Sequence, residues 1–280
     1  MAGSEQLRVT LLPGARALLR AHAQELPQRD DLCGAFCGAL ALRAADIAEH
    51  DGQPLDQDTV ALAAGSIVSG PRPADRPGGL PHGETGRRDY RLALPTIEDP
   101  DLSGTTAAGV IDAIERLSDG ALVAIPLSGP WTPAALDALF DAAAALERPV
   151  TLIANLATHH LWGAGARVDQ LLDYLIDGEQ AGPPPDWQVG HFVCVVGRVC
   201  GPRGSLYAVA DTYPTLGNHG VHLQPQERLA AALARRDMPA GGVIAVACAV
   251  DAHTLREAAR TVGLNEGAWD NGTVTREMLG

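Results

Sequence analysis

The order in which helical and strand-like segments follow one another constrains the fold of this chain most. Apolar residues recur at helical spacing in the early segments, whereas the late segments are apolar and β-branched. The change of pattern comes after the breaker GPPPDW at 182–187. Helices gathered early and strands gathered late, with one mixed stretch between them, predict an α+β fold of two lobes.

The same patterns predict the individual elements. We expect helices at 13–26, 33–49, about 56–68, 106–118, 131–146, 168–176, 225–236 and 251–262. We expect strands at 121–126, 150–155 and 242–250, and a hairpin of GHFVCVVGRV and SLYAVAD joined by the turn CGPRG. Residues 69–89 are rich in proline, glycine and arginine and have no periodicity, which predicts a long surface loop and a candidate lid.

The length of the chain favours a single domain over residues 1–280. Within it, residues 1–120 are expected to form a mainly helical lobe that includes the loop 69–89. Residues 121–280 are expected to form a mixed to β-rich lobe.

The composition excludes several partners and chemistries. A formal net charge of −13 argues against nucleic-acid and anionic-membrane partners, since basic patches bind both. No apolar stretch approaches the roughly eighteen residues of a membrane span, and the N-terminal region lacks the apolar segment of a signal peptide. We therefore expect a cytoplasmic protein. All 21 Lys and Arg positions are arginine, which excludes a Schiff-base lysine and the lysine of a Walker A loop.

Cys33 is the cysteine whose position indicates reactivity. It begins the helix predicted at 33–49, after the candidate N-caps Asp30 and Asp31, and Gly34 allows a close approach. Unpaired N–H groups and the positive end of the helix dipole favour a thiolate there. The alternative is that Cys33 is only the first buried residue of one apolar helix face. That face consists of Cys33, Cys37, Leu40, Ala44 and Ile47.

His191 and Asp211 occupy matching ends of the predicted hairpin. His191 follows Gly190 at the start of the first strand, and Asp211 closes the second strand. If the strands pair across the turn, the carboxylate reaches the imidazole and holds its tautomer. A cysteine, a histidine and an aspartate in these positions are typical of a nucleophile, its base and the group that orients the base.

These residues resemble the papain-like cysteine peptidase superfamily, and within it the bacterial C39-like peptidases. The resemblance rests on PQRDDLCGAFC with Gln28 and Cys33, on RPVTLIAN ending at Asn155, on GHFV with His191, and on YAVADTYPTLG with Asp211 followed by QPQERLAAAL. The motifs cover about a quarter of the chain, and residues 50–145 match none of them. The family glutamine usually lies six residues before the cysteine, whereas Gln28 lies five before it.

The resemblance implies a papain-like two-lobed fold with the site in the groove between the lobes. It implies Cys33 as nucleophile, His191 as base, Asp211 as orienting acid and Gln28 as oxyanion donor. The expected reaction is acyl transfer from a peptide, amide or other acyl substrate through a thioester, with peptide hydrolysis first. An acyltransferase or peptide-modifying enzyme of a natural-product pathway is the alternative, and a non-catalytic binding protein on the same fold is another.

Other residues are candidates for the cleft or for a metal. We expect Gly34, Gly190, Trp187 and Asn155 to border the cleft. Cys33 and Cys37 with Cys194 are an alternative zinc site, but a helix face is an unusual place for a zinc knuckle. His159 and His160 are adjacent, so their side chains are expected to diverge. His219 and His222 have metal-like spacing without a supporting carboxylate pair. No metal and no cofactor is therefore expected.

Overall fold

The computed structural model describes residues 7–70 and 79–275 of the chain. Its helices are α1 (Ala15–Glu25), α2 (Cys33–Ala44), α3 (Gln57–Ala63), α4 (Ala107–Leu117), α5 (Pro133–Ala144), α6 (Val168–Asp177), α7 (Gln226–Ala234) and α8 (Ala252–Thr261). Its strands are β1 (Arg8–Leu11), β2 (Glu49–His50), β3 (Gln53–Pro54), β4 (Val68–Ser69), β5 (Thr96–Ile97), β6 (Leu122–Ser128), β7 (Val150–Ala157), β8 (Gly190–Cys200), β9 (Ser205–Ala210), β10 (Val221–Pro225), β11 (Gly242–Cys248) and β12 (Asn265–Glu266).

An eight-stranded antiparallel sheet forms the centre of the fold, which is of the α+β class. Seven strands follow the order β10-β9-β8-β7-β11-β6-β12, and β1 pairs with β8. The first half of β8 pairs with β7, and its second half pairs with β1. Strand β7 is buried along its whole length, which agrees with its continuous apolar sequence.

Helix α2 is the central helix of the early part of the chain. It contacts α1, α3 and α4 and packs on β7 and β8. Nearly all of its side chains are buried, because helices and sheet surround it. Helices α5, α7 and α8 form a second group, in which α7 contacts β7 and β11 and α8 contacts β6. The sheet is thus the element that joins the two groups of helices.

The predicted elements exist, and several of them are shorter than expected. The helix expected over 33–49 ends at Ala44, because Asp46 takes the left-handed conformation with φ 65°. The N–H of Ile47 then donates to the carbonyl of Leu42, which is the hydrogen bond of a Schellman motif. The helix expected at about 56–68 ends at Ala63, and Val68 already belongs to β4. The hairpin β8–β9 is confirmed, with Cys200 opposite Ser205.

Three strands of the sheet, β1, β10 and the two-residue β12, were not expected from the sequence. Strand β1 has four residues and is mostly exposed, so it shows too little alternation to be recognised. Strand β10 follows the turn after Asp211 and pairs with β9. In the predicted loop 69–89, residues 71–78 lie outside the described residues, and 79–89 contain neither helix nor strand. Within the described parts of the chain, no helix has the length and apolar composition that a membrane crossing requires.

Candidate active site

Cys33 is the first residue of α2 and is half-buried. Leu32 is the N-cap, and no side chain of the described residues caps the helix. The first N–H groups of a helix have no partners within it, so they are available to a negative group beside Cys33. Gly34 is buried, and a Cβ atom at this position would lie only 3.0 Å from Thr105 and 3.1 Å from Val110. It permits close helix packing and does not border the cavity described below.

Asp30 and Asp31 do not cap α2, contrary to the expectation from the sequence. Asp31 has φ 67° and accepts hydrogen bonds from the N–H and the hydroxyl of Ser69. Asp30 accepts from the N–H of Arg87. The two carboxylates therefore hold the segments on either side of residues 71–78 against the start of α2.

His191 and Asp211 meet at the open end of the β8–β9 hairpin. Cys194 lies opposite Ala210, which brings the start of β8 beside the residue that follows β9. His191 Nε2 lies 3.0 Å from Asp211 Oδ1, and both side chains are 2% exposed. Such a buried pair of opposite charges is stable only when its hydrogen bonds are satisfied.

The charges of this pair shift both pKa values. Burial alone would lower the pKa of His191, but the Asp211 carboxylate and the Cys33 sulfur outweigh burial and raise it to about 10. Burial alone would raise the pKa of Asp211, yet the charge of His191 and hydrogen bonds from His191 and His222 hold it well below its usual range. The pair is therefore an imidazolium and a carboxylate at neutral pH. Since Nε2 of His191 binds Asp211, Nδ1 is the ring nitrogen that remains available to the Cys33 sulfur, which borders the same cavity.

Asp211 is held by three further groups that the sequence analysis missed. Its Oδ1 accepts from the N–H of Thr212 at 2.7 Å, and its Oδ2 lies 3.2 Å from His222 Nε2. The Nδ1 atom of His222 accepts from Gln224 Nε2 at 3.0 Å, so the proton of a neutral His222 is on Nε2 and is donated to Asp211. His22, on α1, donates from Nε2 to the backbone carbonyl of Asp211.

A signal for one of these groups was present in the sequence. His222 alternates with Gln224 on a short apolar strand two residues after Gly220, and such an imidazole needs a partner when it is buried. The long sequence separation of His22 from Asp211 gave no comparable signal.

Gln28, for which the resemblance implies the role of oxyanion donor, contacts Thr212 next to the pair. Its backbone N–H donates to the carbonyl of Thr212 at 3.0 Å, and the Thr212 hydroxyl donates to Gln28 Oε1. Because Oε1 already accepts a hydrogen bond, the Nε2 group of Gln28 is the part of the amide that can donate one, and it has no hydrogen-bond partner among the described residues. The shorter spacing between Gln28 and Cys33 therefore still places both side chains on one cavity.

That cavity has a volume of about 400 Å³, within the range of sites for small ligands. Cys33, His191 and Gln28 border it. Trp187 contacts the His191 ring edge-on at 4.8 Å between centroids, and Tyr213 is stacked on it at 6.2 Å. These two aromatic side chains limit the access of water to the imidazole.

The cavity is also bordered by Asn155, Gly190 and a residue that sequence reasoning missed, Arg235. Arg235 Nη1 donates to Asn155 Oδ1 at 2.6 Å, and Trp269 Nε1 donates to the same oxygen at 3.1 Å. Arg235 follows α7 in the left-handed conformation, with φ 40°. A cavity-lining arginine could not be separated from the other 20 arginines by sequence pattern, since the pairing of β7 with β11 brings these residues together.

His159 and His160 converge, which corrects the expectation that they diverge. They lie in a short 3₁₀ helix, Thr158–His160, and both bind Asp237, at 2.6 Å and 3.2 Å. The ligand atoms of these three residues lie within 4.8 Å of one another. Both histidines are half-buried, Asp237 is exposed, and the Nε2 atom of each histidine is already hydrogen-bonded to the carboxylate. Cys37 and Cys194 are fully buried core residues, so the arrangement of the thiols is not that of a zinc knuckle.

The fold and the site define an α+β protein in which a cysteine at a helix start and a histidine border one cavity, and a buried aspartate binds the histidine. The chain belongs to a family described as Family of unknown function (DUF6885), whose model matches residues 12–270. The match includes Cys33, His191 and Asp211. No curated protein matches the chain.

Proposed function

We propose that the protein is a cysteine-dependent acyl-transfer enzyme that hydrolyses a peptide or other amide bond through a thioester on Cys33. The observation that carries this proposal is the position of His191, which borders one cavity with Cys33 and lies 3.0 Å from the buried carboxylate of Asp211. A histidine that serves a core only structurally has no need of a sulfur on one side and a carboxylate on the other. The three groups correspond to nucleophile, base and orienting acid.

The arrangement of elements supports a papain-like fold. The cysteine begins a central buried helix, the histidine begins a strand that packs on this helix, and the aspartate follows the next strand. The helices α1–α4 then correspond to the helical lobe, and the sheet with α5–α8 corresponds to the β-rich lobe.

The proposed reaction begins from a Cys33 thiolate beside the His191 imidazolium. The sulfur attacks the substrate carbonyl carbon, and the carbonyl oxygen becomes an oxyanion near the Cys33 N–H and Gln28 Nε2. His191 gives its proton to the leaving amine as the C–N bond breaks, which leaves a thioester. His191 then takes a proton from water, the resulting hydroxide displaces the thiolate, and an acid is released. Asp211 keeps the imidazole in the required orientation throughout.

The test compares Cys33 with another thiol of the same protein. Cys200 is half-buried as well and lies at the far end of β8. At pH 6 an ordinary thiol with a pKa near 8.5 is ionised to well under about 1%, so an ion-paired thiolate should react with iodoacetamide more than about tenfold faster. Peptide mapping by mass spectrometry measures both rates in one sample. The replacement His191→Gln should abolish the advantage of Cys33, whereas Cys200→Ala should leave it unchanged.

Equal alkylation rates for Cys33 and Cys200 in the unmodified protein would contradict the proposal and favour a non-catalytic binding protein. With a reactive Cys33, thioester substrates should acylate it, and the mass of the intact protein reports the acyl-enzyme. The acyl-enzyme is then incubated in buffer alone or with a panel of amines, which distinguishes water from an amine as the acyl acceptor. Faster loss of the acyl group to amines than to water would identify an acyltransferase.

A further inference from the structure

Arg235 is a buried positive charge that has no carboxylate partner in the part of the chain that the structure describes. Arg235 is 3% exposed, and its Nε atom is buried with no hydrogen-bond partner among the described residues. Nη1 donates to the neutral amide of Asn155. The nearest acid in sequence, Asp237, binds His159 and His160 instead. A buried charge is costly unless it is paired, so this position is unfavourable for the protein alone.

Other largely buried arginines of the chain are paired with a carboxylate. Arg29 and Arg198 are also largely buried, and they bind Asp58 at 2.7 Å and Asp137 at 3.0 Å, respectively. Arg235 differs because its Nη1 binds only the neutral amide of Asn155, no carboxylate among the described residues pairs with it, and it borders the cavity.

The backbone around Arg235 is shaped to place this guanidinium beside His191. A Cβ on Gly190 would lie 2.8 Å from Arg235 Nη2, so the glycine lets the guanidinium cross the start of β8 directly. Arg235 itself has φ 40°, a conformation that favours glycine, in order to turn its side chain inward. Burial lowers the pKa of Arg235, and the Cys33 sulfur and Asp237 partly oppose this shift. Arg235 and Cys33 both border the same cavity, so the guanidinium and the sulfur interact electrostatically.

We propose that Arg235 binds a carboxylate of the substrate, so that the preferred acyl substrates carry a carboxylate a few bonds from the carbonyl that Cys33 attacks. This inference rests on the proposed function and names its substrate class. A single guanidinium that lacks a carboxylate partner among the described residues matches a singly charged, planar carboxylate. Asp30, Asp31 and Asp101 border the same cavity, and their charges disfavour a dianion such as a phosphate. The cavity volume of about 400 Å³ fits a small acid or the end of a peptide.

Pairs of alkylating reagents that differ only in a carboxylate test the inference without knowledge of the natural substrate. The reagents are iodoacetate against iodoacetamide, and bromoacetylglycine against bromoacetylglycinamide, which reaches further. The measured quantity is the acid-to-amide ratio of rates at Cys33. Loss of a charge-assisted hydrogen bond in Arg235→Gln should lower this ratio about 10- to 100-fold for at least one pair. Arg235→Lys, which retains the charge, should lose less.

The matched control is Arg236→Gln, since Arg236 is the next residue and is exposed. It changes the net charge equally and should leave the ratio unchanged. An equal ratio in the unmodified protein and in Arg235→Gln, for both pairs, would overturn the inference, even if both reagents reacted more slowly. A low reactivity of Cys33 toward iodoacetamide would count against the proposed function instead, because the ratio remains measurable at any absolute rate.

Discussion

Replacing Asp211 by asparagine tests the electrostatic reasoning about the site most directly. The substitution removes one negative charge from a fully buried position and nearly preserves the side-chain shape. Asp211 Oδ1 lies 3.0 Å from His191 Nε2 and forms a charge-assisted hydrogen bond. Such a bond contributes about 1.5–3 kcal/mol, and one pKa unit corresponds to about 1.4 kcal/mol. The pKa of His191 should therefore fall by about one to two units from its value of about 10.

The assay is a pH titration of the protein labelled with ¹⁵N-histidine, followed by NMR. The signal of His191 is the one that disappears in His191→Gln, and the exposed His253 on α8 provides the reference signal. An unchanged midpoint of His191 in Asp211→Asn would refute the reasoning. The same conclusion would follow if His191 of the unmodified protein titrated near 6.5, because the carboxylate would then only balance the effect of burial and would not raise the pKa.

Asp211→Asn also has a predictable structural cost. The carboxylate accepts from His191, Thr212 and His222, whereas an amide offers a single acceptor oxygen. The new NH₂ group would face a donor, Nε2 of His222, and an unsatisfied buried donor costs about 1–3 kcal/mol of the free energy of unfolding. The double variant Asp211→Asn with His222→Gln gives the amide an acceptor and should recover part of this loss in urea unfolding. The NMR titration can be carried out on whichever variant is better folded.

Three further outcomes follow from the described geometry. The free energy of unfolding should fall as the pH rises from about 6.5 to 10, because the raised pKa of His191 lets the folded protein keep a proton that the unfolded chain releases. Urea titrations across this pH range measure the free energy of unfolding, and a flat profile would contradict the prediction. His22→Phe should cost about 1–3 kcal/mol in the same assay, since it keeps the packing on Phe36 but removes the donor to the Asp211 carbonyl; an unchanged stability would show that this hydrogen bond is dispensable. Cys37 should resist alkylation in the folded protein and react only after unfolding, because burial and the neighbouring Cys194 raise its pKa; labelling of Cys37 at the rate of Cys200 under native conditions would disprove this.

The elements that carry Cys33 and His191 could be predicted because their signals are local. The helix start at Cys33 follows from apolar spacing, and the β8–β9 hairpin follows from two β-branched runs around one turn. Hairpin pairing also brings Asp211 near His191, so that contact needs only local information. The contact of Cys33 with His191 depends on packing of α2 against β8, which spacing alone does not specify.

The residues that were missed depend on long-range pairing. Arg235 and Asn155 come together because β7 and β11 are neighbours in the sheet although 80 positions separate the two residues. The capping expectation for Asp30 and Asp31 failed for a similar reason: both carboxylates found partners far along the chain, at Arg87 and Ser69, which local propensity does not include.

The number of donors around residue 211 explains the choice of an acid there. Orienting His191 alone requires one acceptor oxygen, which an asparagine would supply equally well. His222 is fixed as a donor by Gln224, which in turn binds the backbone of Trp162 on both its N–H and its carbonyl. A second acceptor is thus required on the far side of residue 211, and only a carboxylate provides both. The carboxylate of Asp211 that raises the pKa of His191 therefore also satisfies the buried hydrogen-bond network of His222 and Gln224. The electrostatics of the site and the stability of the β10 side of the sheet thus depend on the same side chain.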